Sequence, residues 1–145
     1  MGTLERGTQI DYEAVGKKLQ SAALLNDDEK FLVFGRASYF ASGLIDEKLD
    51  KPYTISPISM EVRSHMAVIV LDRVVSLYQS GSTVLFDNLK KAVCETFLIK
   101  NEDLSNERLY SVLGSSLDEY FTREISDEVK KNMGFIRGAV DQVIS

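Results

Sequence analysis

Apolar residues recur along this chain at helical spacing almost throughout, most densely between Ser59 and Tyr78. There Ala67, Val70, Leu71, Val74, Leu77 and Tyr78 fall at i, i+3, i+4, i+7, i+10 and i+11, one face of a 3.6-residue helix. Val68, Ile69 and Val75 widen that stripe until little polar surface is left. A helix apolar on most sides is packed by neighbours all round, so the spacing predicts a buried central helix over 58–79. Arg63, Asp72 and Arg73 interrupt the segment, which is too short between them to cross a bilayer.

The other elements follow from the same periodicity and from capping residues. Residues 1–9 are polar and glycine-bearing and predict a loose start. Over 10–25, Val15, Leu19, Ala22 and Ala23 form a narrow stripe, and Gly16 weakens that helix by about 1 kcal/mol relative to Ala. So narrow a stripe suits packing on a partner, which makes these four residues the expected interface and 1–25 an N-terminal extension used for association. Asn26 and Glu29 have the spacing of a capping box, and Asp27 and Asp28 face the positive end of the helix dipole. Val33, Ala37, Phe40 and Leu44 then form one inward row and Phe34, Ala41 and Ile45 the next, in a helix reaching Lys48 or Leu49.

Pro52 and Pro57 force an extended break over 50–57, after which Ser56 and Pro57 fit the N-cap and first position of the central helix. Gly81 is placed to end that helix in a left-handed cap. Ser82 is the expected cap of the next helix, with Leu85, Leu89, Ala92, Val93, Thr96 and Phe97 inward. Asn101-Glu102-Asp103 reads as a connector, and Ser105 opens a helix burying Leu109, Val112, Leu113, Leu117 and Tyr120. Ser126 starts the last helix, with Val129, Met133, Ile136, Val140 and Val143 inside. No segment alternates as a hairpin would, and no fixed-period repeat appears. The pattern predicts an all-α fold of about six helices in a single domain spanning 1–145.

Composition narrows the function classes. At 44% hydrophobic and 27% charged residues, the chain has the balance of a folded globular protein. Its formal charge of −5, with no run of Lys or Arg longer than two, lacks the clustered positive field that nucleic-acid binding needs. One cysteine and one histidine rule out an intrachain disulfide, a Cys-based metal cluster and a His-rich metal site. Residues 1–9 carry no apolar core like a signal peptide's, and a cytoplasmic location without membrane insertion is the simplest expectation.

Candidate chemistry is sparse. His65, at the start of the central helix, is either a haem ligand in a helical pocket or a capping or partly exposed histidine. Cys94 lies mid-helix beside Glu95, not in the basic setting that activates a thiol, and reads as a buried, inert cysteine. The carboxylates at Asp46 and Asp50, Asp118 and Glu119, and Asp127 and Glu128 suit solvated faces and helix starts better than a general acid–base pair. No phosphate-binding loop is present, and one histidine supports no Ser-His-Asp set. The tyrosines and phenylalanines at helical spacing are expected in the core. With no acid, base or nucleophile that has a partner, the chain is not expected to be an enzyme.

Several short stretches, in common order, give the chain a wider likeness. Glu13-Ala14-Val15, Leu25, Glu29, Phe34-Gly35-Arg36 and Gly43-Leu44 resemble the opening of phycobiliprotein subunits, the phycocyanin type above all. Lys51-Pro52-Tyr53-Thr54 resembles the segment leading to their long central helix, and Ser80-Gly81, Asp87 and Glu95-Thr96-Phe97 follow at familiar places. Ile125-Ser126-Asp127, Phe135-Ile136 and Val143-Ile144-Ser145 resemble the family's final helix. The likeness spans nearly the whole chain, with a helix-sized gap around 45–51. It implies a globin-like helical fold with an N-terminal helical extension that, in the family, clamps one subunit on another.

The family's chromophore motif is Cys-x-Arg-Asp on the central helix; here those positions read Arg63-Ser64-His65-Met66. The thiol and the Asp are both missing, so covalent bilin attachment is not expected, nor any other cofactor. Arg63 and His65 remain as candidates for touching a tetrapyrrole. The resemblance implies a bilin-free relative acting in assembly, dimerisation or sensing, with a protein partner or a second copy of itself. Alternatives are a globin-like sensor binding haem or another tetrapyrrole non-covalently, and an unrelated helical accessory protein.

Overall fold

The computed structural model describes residues 11–49 and 59–145. Among them the chain forms seven α-helices and no strand: α1 Tyr12–Gln20, α2 Asp27–Lys48, α3 Met60–Gln79, α4 Val84–Thr96, α5 Asn106–Phe121, α6 Asp127–Lys131 and α7 Met133–Ile144. A 3-10 turn, Asn101–Asp103, forms the expected connector. Side chains close most helix starts. The Asp11 carboxylate accepts from the backbone N–H groups of Glu13 and Ala14, and the Asn26–Glu29 box is complete in both directions. Ser105 accepts from the Arg108 N–H and Ser126 from that of Val129. Each such cap contributes on the order of 1 kcal/mol.

Four boundaries differ from the sequence expectation. The first helix stops at Gln20, because the Ser21 hydroxyl donates to the Lys18 carbonyl and accepts from the Ala23 N–H, offering the backbone a turn in place of another helical step. Ser59 caps α3, accepting from the Val62 N–H; Ser56 and Pro57 lie outside the described residues. Thr83, not Ser82, occupies the N-cap of α4, without a side-chain capping bond. The last helix is two, split at Asn132, whose N–H turns back on the Val129 carbonyl while its side-chain amide donates to that of Glu128.

One apolar core holds the molecule together, and α3 runs through it. That helix contacts α2, α4, α5, α6 and α7. Val62, Met66, Val68, Val70, Leu71, Val74 and Val75 are buried, and Ile69 is half-buried. The helix ends as expected, with Gly81 at φ 102° and the Ser82 N–H bonded to the Leu77 carbonyl. At the end of α4 the same left-handed turn is made by Leu98, at φ 58°, with the Ile99 N–H on the Cys94 carbonyl.

Within the expected N-terminal extension, residues 1–10 lie outside the described residues, and α1 packs on its own chain. Val15 and Leu19 are completely buried in the core, so they cannot form the expected partner surface. Gly16 explains the close fit: a Cβ there would lie 2.1 Å from the Phe97 carbonyl oxygen. Arg108 of α5 then fastens the far end of α1, its guanidinium donating to the carbonyls of Lys18, Leu19 and Ala23. Lys18 and the buried Glu29 add an ion pair at 2.8 Å between α1 and α2. A narrow stripe suffices because α1 is short and needs only one row of contact.

Candidate functional site

Arg63 and His65 lie two residues apart on α3, and such neighbours point to different sides of a helix. Arg63 faces α2, donating to the Ser42 hydroxyl at 2.7 Å and pairing with Asp46. His65 is buried against α5, where its Nδ1 is hydrogen-bonded to the Tyr120 hydroxyl at 2.9 Å. The two candidates therefore do not share a site. A ligand carboxylate approaching Arg63 would compete with Asp46.

The His65–Tyr120 pair forms one wall of a cleft of about 170 Å³, completed by Glu61, Arg123, Ile125 and Val129. Burial holds the His65 pKa below its ordinary value and raises that of the Tyr120 hydroxyl. Both groups are thus neutral at neutral pH, and each satisfies the other's polar atom. Cys94 is buried, and burial raises its thiol pKa, the condition of an unreactive cysteine. Among the described residues, no group of three or more His, Cys, Asp or Glu side chains is placed to hold a metal ion.

Of the four expected interface residues, Val15 and Leu19 are core and only Ala22 and Ala23, in the turn after α1, are exposed. Leu24, Val84 and Leu98 are exposed singly, whereas the outer side of α2 presents several large apolar groups around one groove. Phe31 and Tyr39, expected inside with the other aromatics, are each 72% exposed, and Met60 at the start of α3 is 78% exposed. Their exposure follows from phase. The inner face of α2 is already filled by Val33, Ala37, Ala41 and Ile45, so positions 31 and 39 turn outward.

Phe31, Gly35, Tyr39 and Gly43 form a single exposed row at steps of four. The row stands between two grooves. One, of about 360 Å³, runs past Phe34, Ser38, Ser42, Met60 and Val68. The other, of about 200 Å³, lies towards Tyr12, Arg36 and Phe97. Tyr39 is not a loose side chain: the Arg36 guanidinium sits 5.1 Å from its ring centroid and is itself tied to the Thr96 hydroxyl at 2.6 Å. The sequence expectation missed this row; the signal that could have found it is two aromatics and two glycines spaced by four, all off the inward rows. The His65–Tyr120 contact, 55 residues apart in sequence, had no local signal.

No described helix is long and apolar enough to cross a membrane. No protein-family model, curated protein or solved structure matches this chain.

Proposed function

We propose that this chain is a non-catalytic association module, related to phycobiliprotein subunits but lacking bilin, and that it works by docking a protein surface on the outer side of α2. The observation that carries this function is the collection of Phe31, Tyr39 and Met60 around one groove, each more than 70% exposed. Large apolar groups gathered on one face mark interaction surfaces, whereas scattered ones need no explanation. A globin-like arrangement fits a central helix wrapped on several sides, as α3 is.

A photo-crosslinking amino acid placed at position 39 tests the association function in cells that naturally make the chain. A discrete covalent adduct is expected at position 39, and none at the exposed Lys131 on the short helix α6. Absence of an adduct at position 39, or equal adducts at both positions, contradicts the proposal.

The alternative of a tetrapyrrole sensor draws on His65 lining a cleft. At about 170 Å³ that cleft is smaller than the roughly 300–1,000 Å³ of small-molecule sites. His65 already has Tyr120 as a partner. Haem titration is therefore expected to give no Soret shift, and a shift abolished by His65→Ala would revive the sensor.

A further inference from the structure

We infer that the cleft between the start of α2 and the end of α5 binds a small zwitterion carrying an apolar ring, an aromatic α-amino acid being the simplest of that class. The floor of the cleft carries this. Among the described residues, the buried polar or charged ones are Glu29, His65 and Ser116. Glu29 is paired with Lys18, and His65 with Tyr120. Ser116, only 9% exposed, has no hydrogen-bond partner for its hydroxyl. Nor is that hydroxyl sealed in. The partnerless oxygens shut off from solvent are those of Ser38 and Asn106, so that of Ser116 opens into the cleft it lines. A polar group buried in this way calls for a partner from outside the fold.

The cleft has the size and walls of a ligand site. At about 400 Å³ it falls within the roughly 300–1,000 Å³ of small-molecule sites, which the His65 cleft does not reach. Phe31 and Phe34 of α2 face Tyr120 of α5 across it. The Phe34 and Tyr120 rings lie 6.2 Å apart and tilt by 41°, forming an aromatic corner above Ser116. A third ring can pack there edge to face or offset, the arrangements that aromatic pairs prefer.

The rim supplies both signs of charge. Asp27, Asp28 and Glu119 bring carboxylates, and Lys30 and Arg123 bring cations. Among the described residues, none of the five forms an ion pair, so neither sign is already neutralised by the other. The Arg123 guanidinium is held over the Tyr120 ring, 6.0 Å from its centroid, with its donors left for a carboxylate. An ammonium group finds the acids of the rim, a carboxylate finds Lys30 and Arg123, and the ring between them fills the aromatic corner. A ligand of one sign only would meet like charges on part of the rim.

Amide NMR of the isotope-labelled full chain, titrated with L-phenylalanine, tests the site. Saturable shifts are expected at Phe34, Ser116 and Glu119, half-complete at or below about 1 mM. Phenethylamine, which lacks the carboxylate, and 3-phenylpropionate, which lacks the ammonium, should each bind at least tenfold more weakly. Ser116→Ala should weaken L-phenylalanine binding about three- to tenfold, the worth of one hydrogen bond. That hydroxyl has no partner to lose in the free chain, so the variant should keep the helix content of the unaltered chain by circular dichroism. Arg123→Gln, at an exposed position, should weaken L-phenylalanine and leave phenethylamine unchanged. No saturable shift with L-phenylalanine up to about 10 mM overturns the site. Equal or tighter binding of phenethylamine or 3-phenylpropionate overturns the zwitterion, and undiminished binding by Ser116→Ala overturns the placement of the ligand over that hydroxyl.

Discussion

His65 shows how a residue can look like a ligand and act as structure. Buried beside Tyr120, its imidazole binds a proton less readily than in the unfolded chain, where the ordinary value is 6.5. As pH falls below about 6.5, the unfolded chain takes up a proton the folded one resists, and stability drops; above it both forms are neutral and this contribution is flat. Thermal melts between about pH 7.5 and 5.5 should therefore show a larger fall for the unaltered chain than for His65→Gln, which keeps a polar group but cannot charge. Equal falls would mean that His65 is not held neutral by its surroundings. Glu29 behaves oppositely. The Lys18 ammonium and the Asn26 N–H lower its pKa from 4.5, so its stabilising effect is present above that value and lost on acidification below it. The capping role of Glu29 was readable from its spacing to Asn26. The Tyr120 contact of His65 was not, because it depends on how two distant helices cross.

At the scale of elements, the signals confined to a few consecutive residues were the legible ones. Asn26, Ser105 and Ser126 cap as their sequences suggest, and Gly81 adopts the left-handed turn. The stripe of α1 was also visible, but its destination was not. Nothing near Val15 in sequence announces Arg108 or the Phe97 carbonyl, the groups that hold α1 on its own chain. Two substitutions separate local preference from tertiary fit. Gly16→Ala should gain about 1 kcal/mol of helix propensity and lose more to the Phe97 carbonyl, giving net destabilisation. Leu98→Gly should stabilise the chain by roughly 0.5–1 kcal/mol, since Leu98 holds a backbone conformation that favours glycine and its side chain is mostly exposed. Urea denaturation of both variants measures the two signs; a stabilising Gly16→Ala would show that α1 is not seated against α4.

On the scale of the molecule, the periodicity of α3 was enough to place the core, and Val68 and Val74 are buried as that pattern requires. The outer face of α2 was harder to read, because an aromatic at helical spacing belongs to the core in most helices and only the phase against Val33, Ala37 and Ala41 reveals otherwise. The outer face of α2 is where the proposed association is most exposed to test. Amide NMR of the isotope-labelled chain, recorded before and after adding an extract of the cells that make it, examines it directly. The amide signals of Phe31, Gly35, Tyr39 and Gly43 should shift or broaden together, while those around the His65–Tyr120 cleft stay fixed. Unchanged signals along α2, or changes centred on the cleft, would contradict it.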